Sequence, residues 1–220
     1  MDDPRRWKME HELNTVLTVL RLRVQMLQRH SASDPPRRQR LGEILDSVDE
    51  LQKVYARILS RMGGDGSTSD ASEQVGGAGI TAKVHTPHIA VVNDDTAFLR
   101  LMDELLGQEE GYKVSTSFVG SEAYAFVHDL QPDLVVLDLV FGSGAEEGWR
   151  TLDLLTLDPV TRRIPVIVCS AATVQLQDHA DWLRRFDVEV LPKPFDLDTL
   201  LDMVRAALGM PRRGFPRSDR

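Results

Sequence analysis

The sequence predicts an α/β domain with a doubly wound, mostly parallel sheet, preceded by an α-helical hairpin. Three observations predict it. From residue 88 onward strand signals and helix signals alternate five times. Before residue 63 apolar residues recur every three or four positions, and between the two parts lies a segment with six glycines and almost no large apolar side chain.

In the N-terminal part, Leu13, Leu17, Leu20, Val24 and Leu27 recur at alternating spacings of four and three. Leu41, Leu45, Val48, Tyr55, Leu59 and Met62 continue the pattern, with Gln52 as an interruption. Ser33, Asp34, Pro35 and Pro36 break the chain between these stretches, so two amphipathic helices form an antiparallel hairpin over residues 1–62. Each apolar face is wider than one partner helix can cover, and a homodimer pairing two hairpins into a four-helix bundle is expected. At 100° per residue, His11 and Thr15 fall opposite the Leu13, Leu17, Leu20, Val24 stripe, with Leu22 and Met26 on their side. His11 is therefore expected to face solvent above an apolar strip.

Residues 63–86 read as a flexible Gly/Ser linker, with a root-mean-square reach on the order of 25 to 30 Å. In residues 87–209, strands are expected at 88–92, 112–117, 133–138, 164–169 and 187–191. Helices are expected at 97–106, 121–130, 148–157, 173–185 and 197–208. This (βα)5 alternation calls for a parallel sheet with helices on both faces and right-handed crossovers. Residues 210–220 form a basic tail, read as a frayed solubilising end.

Composition narrows the function classes. The chain has 220 residues, 42% of them apolar and 27% charged, as in ordinary soluble protein. Its single cysteine, Cys169, falls in a core strand, which excludes a disulfide framework and favours a cytoplasmic location. No signal segment opens the chain, and no apolar run approaches the roughly 18 residues a membrane span needs. Residues 1–62 carry 12 Lys and Arg against 9 Asp and Glu, whereas residues 87–209 carry 9 against 21. A domain at net −12 repels nucleic acid, so no nucleic-acid partner and no membrane partner is expected.

The polar signals of the second domain fall at its strand ends, where open α/β sheets bind ligands. Asn93, Asp94 and Asp95 follow the first strand, Asp138 ends the run Asp133 to Asp138, Ser170 follows the fourth strand, and Lys193 follows the fifth. Asp95 is best read as a helix N-cap. Carboxylates clustered in a low-dielectric crevice repel one another, and an oxygen-seeking divalent cation relieves that repulsion. Mg²⁺ fits a site with few carboxylates and room for water and phosphate oxygens. A nearby lysine and hydroxyl suit the remaining phosphoryl oxygens.

Val91 to Asp95, Pro132 to Leu139, Val166 to Ala171 and Leu191 to Phe195 closely resemble the corresponding stretches of bacterial response-regulator receiver domains. The resemblance implies a flavodoxin-like fold in which Asp138 accepts a phosphoryl group from a partner histidine kinase. It further implies Mg²⁺ held by Asp94, Asp138 and the Val140 backbone carbonyl. Ser170 would hydrogen-bond the phosphoryl group, Lys193 would pair with it, and the Lys193–Pro194 bond would be cis. Three positions depart from the family pattern. Asn93 replaces the first of two acids, Val190 replaces the usual Tyr or Phe three residues before the lysine, and Phe141 to Gly148 is about two residues longer than usual.

His11 to Thr18, within residues 5–62, resemble the phosphoacceptor box of sensor histidine kinases in their dimerisation and histidine-phosphotransfer hairpin. A neutral imidazole is nucleophilic near pH 7, and a neighbouring carboxylate can take its other proton. By that resemblance His11 is a candidate phosphoacceptor, Glu12 its base, and Thr15 the group that orients water for dephosphorylation. Val16 stands where the family has proline. The asparagine box and Asp-x-Gly-x-Gly lid of the kinases' ATP-binding domain do not follow, so the chain is not a self-sufficient kinase.

The expected function is two-component signalling, with Asp138 phosphorylated by a sensor histidine kinase or phosphotransfer protein and a candidate relay between His11 and Asp138. Two alternatives stay open: a hairpin that only dimerises or docks a kinase, and a hairpin that acts as a phosphatase toward another receiver. A transcription-factor role is disfavoured, since no recognition-helix domain follows Leu208.

Overall fold

The computed structural model describes residues 4–62, 85–118, 120–140, 146–171, 176 and 178–211. Most of the predicted linker, the tail beyond residue 211, the lip 141–145 and the start of the predicted helix 173–185 lie outside the described residues. By its contacts the chain divides into two compact units, residues 1–22 with 84–220, and residues 23–83.

Helix α1 runs Pro4–His30 and α2 runs Pro35–Met62. The break between them follows from chemistry. Pro35 and Pro36 cannot donate to a preceding turn, and the Asp34 carboxylate accepts from Arg37 N at 3.1 Å, which caps the new helix. Arg38 also donates to Ala32 O at 2.6 Å across the turn.

The larger unit holds five parallel strands in the order β2-β1-β3-β4-β5, with β1 His88–Val92, β2 Lys113–Ser117, β3 Leu134–Leu137, β4 Val166–Ser170 and β5 Glu189–Pro192. This is the flavodoxin-like receiver fold. Strands β3 and β4 are buried along their whole length, as expected when helices cover both faces. On one face Ala90, Val92, Val135, Leu137 and Val168 pack with Leu152, Leu155 and Val127. The alternating residues Ile89, Val91, Val136 and Ile167 are equally buried.

The intervening helices are α3 Thr96–Met102, α4 Ala123–Leu130, α5 Glu146–Leu157, α6 Ala180–Arg185 and α7 Leu197–Ala207. The expected helix 97–106 departs from plain α-geometry. It continues as a π-helical stretch, Asp103–Glu109, and Glu110 N reaches back to Leu105 O at 3.0 Å. Gly111, at φ +78°, then reverses the chain into β2.

Registers Val92 with Leu137 and Ser170 with Pro192 bring the carboxyl ends of β1, β3, β4 and β5 together. The strand order reverses at β1, between β2 and β3, so the crevice of the sheet opens where Asp138 and Lys193 emerge. No helix among the described residues is long and apolar enough to cross a membrane.

Candidate functional site

Asp138 is the first residue past β3, held there because its N–H donates to Val92 O at 2.9 Å. Its carboxylate is buried and accepts hydrogen bonds at both oxygens. Oδ2 accepts from Lys193 Nζ at 2.5 Å and from Asn93 Nδ2 at 2.9 Å, and Oδ1 accepts from Val140 N at 3.1 Å. Lys193 follows β5, fixed by its N–H to Ser170 O at 2.9 Å and followed by a cis bond to Pro194. Its ammonium lies 4.9 Å from the centroid of the Phe98 ring, which stands edge-on to Phe195. A buried lysine and a buried carboxylate tolerate such a site because each neutralises the other.

Asn93 and Asp95 organise the start of α3. Asn93 Oδ1 accepts from Asp95 N at 2.7 Å, while Asp95 accepts from Ala97 N at 2.7 Å and Phe98 N at 3.0 Å, the N-cap read from the sequence. Asp94 is half-buried and Ser170 fully buried. Val190 is half-buried and packs against the apolar cluster, a small aliphatic group at the position where the family pattern has an aromatic ring.

Helix α1 closes the site from outside the sheet. His11 Nε2 lies 3.7 Å from Asp138 Oδ2, and Thr15 Oγ1 accepts from Lys193 Nζ at 3.2 Å. The expectation that His11 faces solvent is therefore corrected. His11 is only 7% exposed, and Thr15, Thr18 and Leu22 on the same face are also buried. Helical periodicity alone shows that this face is amphipathic, but not which neighbour covers it. Polar His11 and Thr15 beside apolar Leu22 match a crevice that offers a carboxylate and an ammonium among apolar walls.

Burial pushes the His11 imidazole below its ordinary pKa, because desolvation penalises the cation. Asp138 opposes that shift, Lys193 reinforces it, and Asp94 and Glu12 oppose it more weakly. The ring is thereby kept neutral, the form in which a nitrogen lone pair can attack phosphorus. Glu12 itself is exposed and pairs with Lys8 at 3.8 Å. Cys169, behind the site in β4, is buried and its thiol is pushed up to about 12, so it is inert at neutral pH.

The donor set suits a hard cation. Asp94, Asp138 and the Val140 carbonyl offer oxygen only, as Mg²⁺ prefers. Asn93 contributes no ligand, since its amide nitrogen faces Asp138 and its oxygen is taken by Asp95 N. The two carboxylates and the carbonyl would hold the cation, which would supply charge neutralisation to phosphoryl oxygens. Among the described residues no group of three His, Cys, Asp or Glu side chains forms a denser metal cluster.

Three participants escaped the sequence: Asn93 as a donor to Asp138, Phe98 beneath the lysine, and an ion pair between Arg21 and Asp196. Alternation of polar and apolar residues signals none of them, because each depends on a partner distant in the chain.

A parallel sheet of this order, with an acid and a lysine meeting at its carboxyl edge, places the chain among the doubly wound α/β proteins of flavodoxin-like topology. The chain belongs to the response regulator receiver domain family, whose model matches residues 89–205, and a His Kinase A (phospho-acceptor) domain matches residues 8–64. The receiver and the phospho-acceptor domain together make it a two-component signalling protein. It is 34% identical over 122 residues to the DNA-binding dual master transcriptional regulator RpaA of Synechocystis sp., covering 56% of this chain and 49% of that one. It is 33% identical to the response regulator PleD of Caulobacter vibrioides, covering 54% and 25%, and 28% identical to PilH of Pseudomonas aeruginosa, covering 54% and 96%. The chain thus spans about half the length of RpaA and a quarter of PleD. Among solved structures, NtrX from Brucella abortus aligns at 27% identity and a TM-score of 0.48, over 56% of this chain and 27% of that one.

Proposed function

We propose that this chain is a phosphorelay protein in which a phosphoryl group passes between Asp138 and His11 of the same chain, loaded at Asp138 by a partner histidine kinase. The observation that supports it most is the 3.7 Å approach of His11 Nε2 to Asp138 Oδ2, with Lys193 bonded to both Asp138 and Thr15. In the step toward histidine, the Nε2 lone pair of neutral His11 forms the N–P bond. The P–O bond to Asp138 breaks, and the electron pair returns to the carboxylate. Lys193 exchanges the Thr15 hydroxyl for a phosphoryl oxygen and neutralises charge in the transition state, and Ser170 holds a second oxygen. Glu12 takes the ring proton. Mg²⁺, held by Asp94, Asp138 and the Val140 carbonyl, would supply further neutralisation of the phosphoryl oxygens. The hairpin joins two chains into a dimer.

The test is a time course with labelled phosphodonor and Mg²⁺, separating base-labile acyl phosphate from acid-labile phosphohistidine. Wild type is expected to show both, His11→Ala only the acyl phosphate, and Asp138→Asn neither. Label on the receiver of Asp138→Asn would overturn the proposal.

The Thr15 hydroxyl, 3.2 Å from Lys193 Nζ, also supports a second reading. There it orients water against an Asp138 phosphoryl group, making the hairpin a phosphatase. A longer-lived acyl phosphate in Thr15→Ala with unchanged phosphohistidine would favour it over the relay.

A further inference from the structure

We infer that the ion pair between Arg21 on α1 and Asp196, in the loop after β5, is the positioning clamp that sets the register of α1 on the receiver and so selects His11 as the group meeting Asp138. The inference rests on the relay reading for its consequence, though not for its geometry.

Arg21 Nε donates to Asp196 Oδ1 at 2.6 Å. Asp196 stands at the N-cap of α7 with extended backbone, φ −88° and ψ 154°, where a carboxylate ordinarily accepts from the first N–H groups of its own helix. It makes no such bond. Its carboxylate is instead turned toward α1. Asp196 lies three residues beyond Lys193, so one short loop meets α1 twice: Lys193 reaches inward to Asp138 and Thr15, and Asp196 outward to Arg21.

Two contacts on one rigid helix fix both its translation and its rotation. Thr15 and Arg21 are six residues apart, about 9 Å along the axis, and His11 lies about 6 Å beyond Thr15 in the other direction. A slip of one turn, about 5.4 Å, would bring Lys8 or Thr15 against Asp138 in place of the imidazole. The side chains are 19% and 45% exposed, which places the pair at the rim. Rim charges contribute little to stability, but they steer approach, fix register and reject partners of the wrong sign. The receiver segment 87–209 carries 21 acids against 9 bases, so its general field attracts a basic helix, and Asp196 gives that attraction a single address. A receiver with no acid three residues after its lysine would be loaded onto this His11 poorly.

The experiment uses the full chain with a small acyl phosphate as donor and Mg²⁺. It follows acyl phosphate and phosphohistidine separately, together with hydrogen exchange of the segment around residues 192–200. Arg21→Glu and Asp196→Arg are each expected to slow phosphohistidine formation by about a hundredfold, the scale of a reacting group misplaced by about 1 Å. Both should speed exchange in the loop, while the initial rate of Asp138 phosphorylation does not fall. Arg21→Lys should retain most of the transfer, and the swap Arg21→Asp with Asp196→Arg should recover both readouts, which a merely structural loss would not. Unchanged transfer and unchanged exchange in both reversals, or a swap no better than either, would overturn the clamp. Absence of phosphohistidine in wild type would sink the relay instead. The clamp would then stand or fall on whether the swap restores loop protection.

Discussion

Lys193 serves two masters, and that division governs what its removal should do. Its ammonium neutralises Asp138 at 2.5 Å and tethers Thr15 at 3.2 Å, so Lys193→Ala leaves a buried carboxylate without its cation and a helix without a contact. Leaving a charge buried and unpaired costs about 3 to 5 kcal/mol. A lower melting temperature and loss of phosphohistidine are both expected, measured by calorimetry and by acid-labile label. His11 gives a prediction in pH. Its pKa lies below 6.5, so the neutral nucleophile persists under mild acidity, and the transfer rate should lose half its value only at a pH below 6.5. The linkage has the same sign: docking of α1 is complete above the free imidazole value and weakens as pH falls from there toward the lowered one. A midpoint at or above 6.5 would show that the ring is not buried during transfer. Asp138 was legible in the sequence because it ends an apolar run that is buried along its whole length, whereas Lys193 follows an edge strand of mixed polarity and was legible from the Leu191 to Phe195 stretch that resembles the family. The burial of His11 was not, because one helix's periodicity says which side is different and not what lies across from it. Asn93 could be read as a missing charge, but its amide bond to Asp138 could not.

At the scale of elements, α5 meets the loop after β3 more closely than any pattern in the sequence announces. A Cβ on Gly148 would lie 2.1 Å from Leu139 O and 2.4 Å from its Cα, against backbone that has no rotamer to turn aside. Gly148→Ala should therefore destabilise by at least the 1 to 3 kcal/mol typical of overpacking, about 1 kcal/mol being the floor. It should also disturb Asp138, since Leu139 separates it from Val140, the donor to its Oδ1. Denaturant unfolding and the acyl phosphorylation rate check the two parts. The helices of the hairpin behave differently. The expected stripe is only partly covered: Leu17 and Val24 are buried, while Leu20 and Leu27 are exposed. On α1, Met9, Val16, Leu20 and Leu27 are all at least 41% exposed, and on α2 so are Ile44, Leu51, Val54 and Ile58. Spacings of seven, three and four are those of a helix seam, and exposed seams of this length call for a partner. Leu20→Glu with Leu51→Glu should convert a dimer to a monomer in sedimentation, leaving Asp138 phosphorylation in place. The alternation that predicted the fold was most legible at β1, β3 and β4, whose apolar runs are buried in the middle of the sheet, and least at the edge strands β2 and β5, which mix polar and apolar residues. The π-helical stretch after α3 was not legible, because the same apolar spacing serves either helix.

For the whole molecule, the decisive question is whether the histidine that meets Asp138 comes from the same chain. The larger compact unit joins residues 1–22 to the receiver, and within it His11 lies 3.7 Å from Asp138 while Arg21 reaches Asp196. A reaction inside one chain has a fixed effective concentration, whereas one between dimers depends on how many are present. Transfer from Asp138 to His11 should therefore be first order and unchanged over about a hundredfold dilution of dimer. Dilution cannot separate a chain's own histidine from that of its dimer partner, so complementation must. Co-expressed Asp138→Asn, which keeps His11, and His11→Ala, which keeps Asp138, would form mixed dimers carrying one good acceptor of each kind on different chains. Transfer within the chain predicts acyl phosphate on the His11→Ala subunit and no phosphohistidine on its partner. Phosphohistidine there, at a rate approaching wild type, would mean that the hairpin exchanges receivers in the dimer, and that the same side chains act across the subunits.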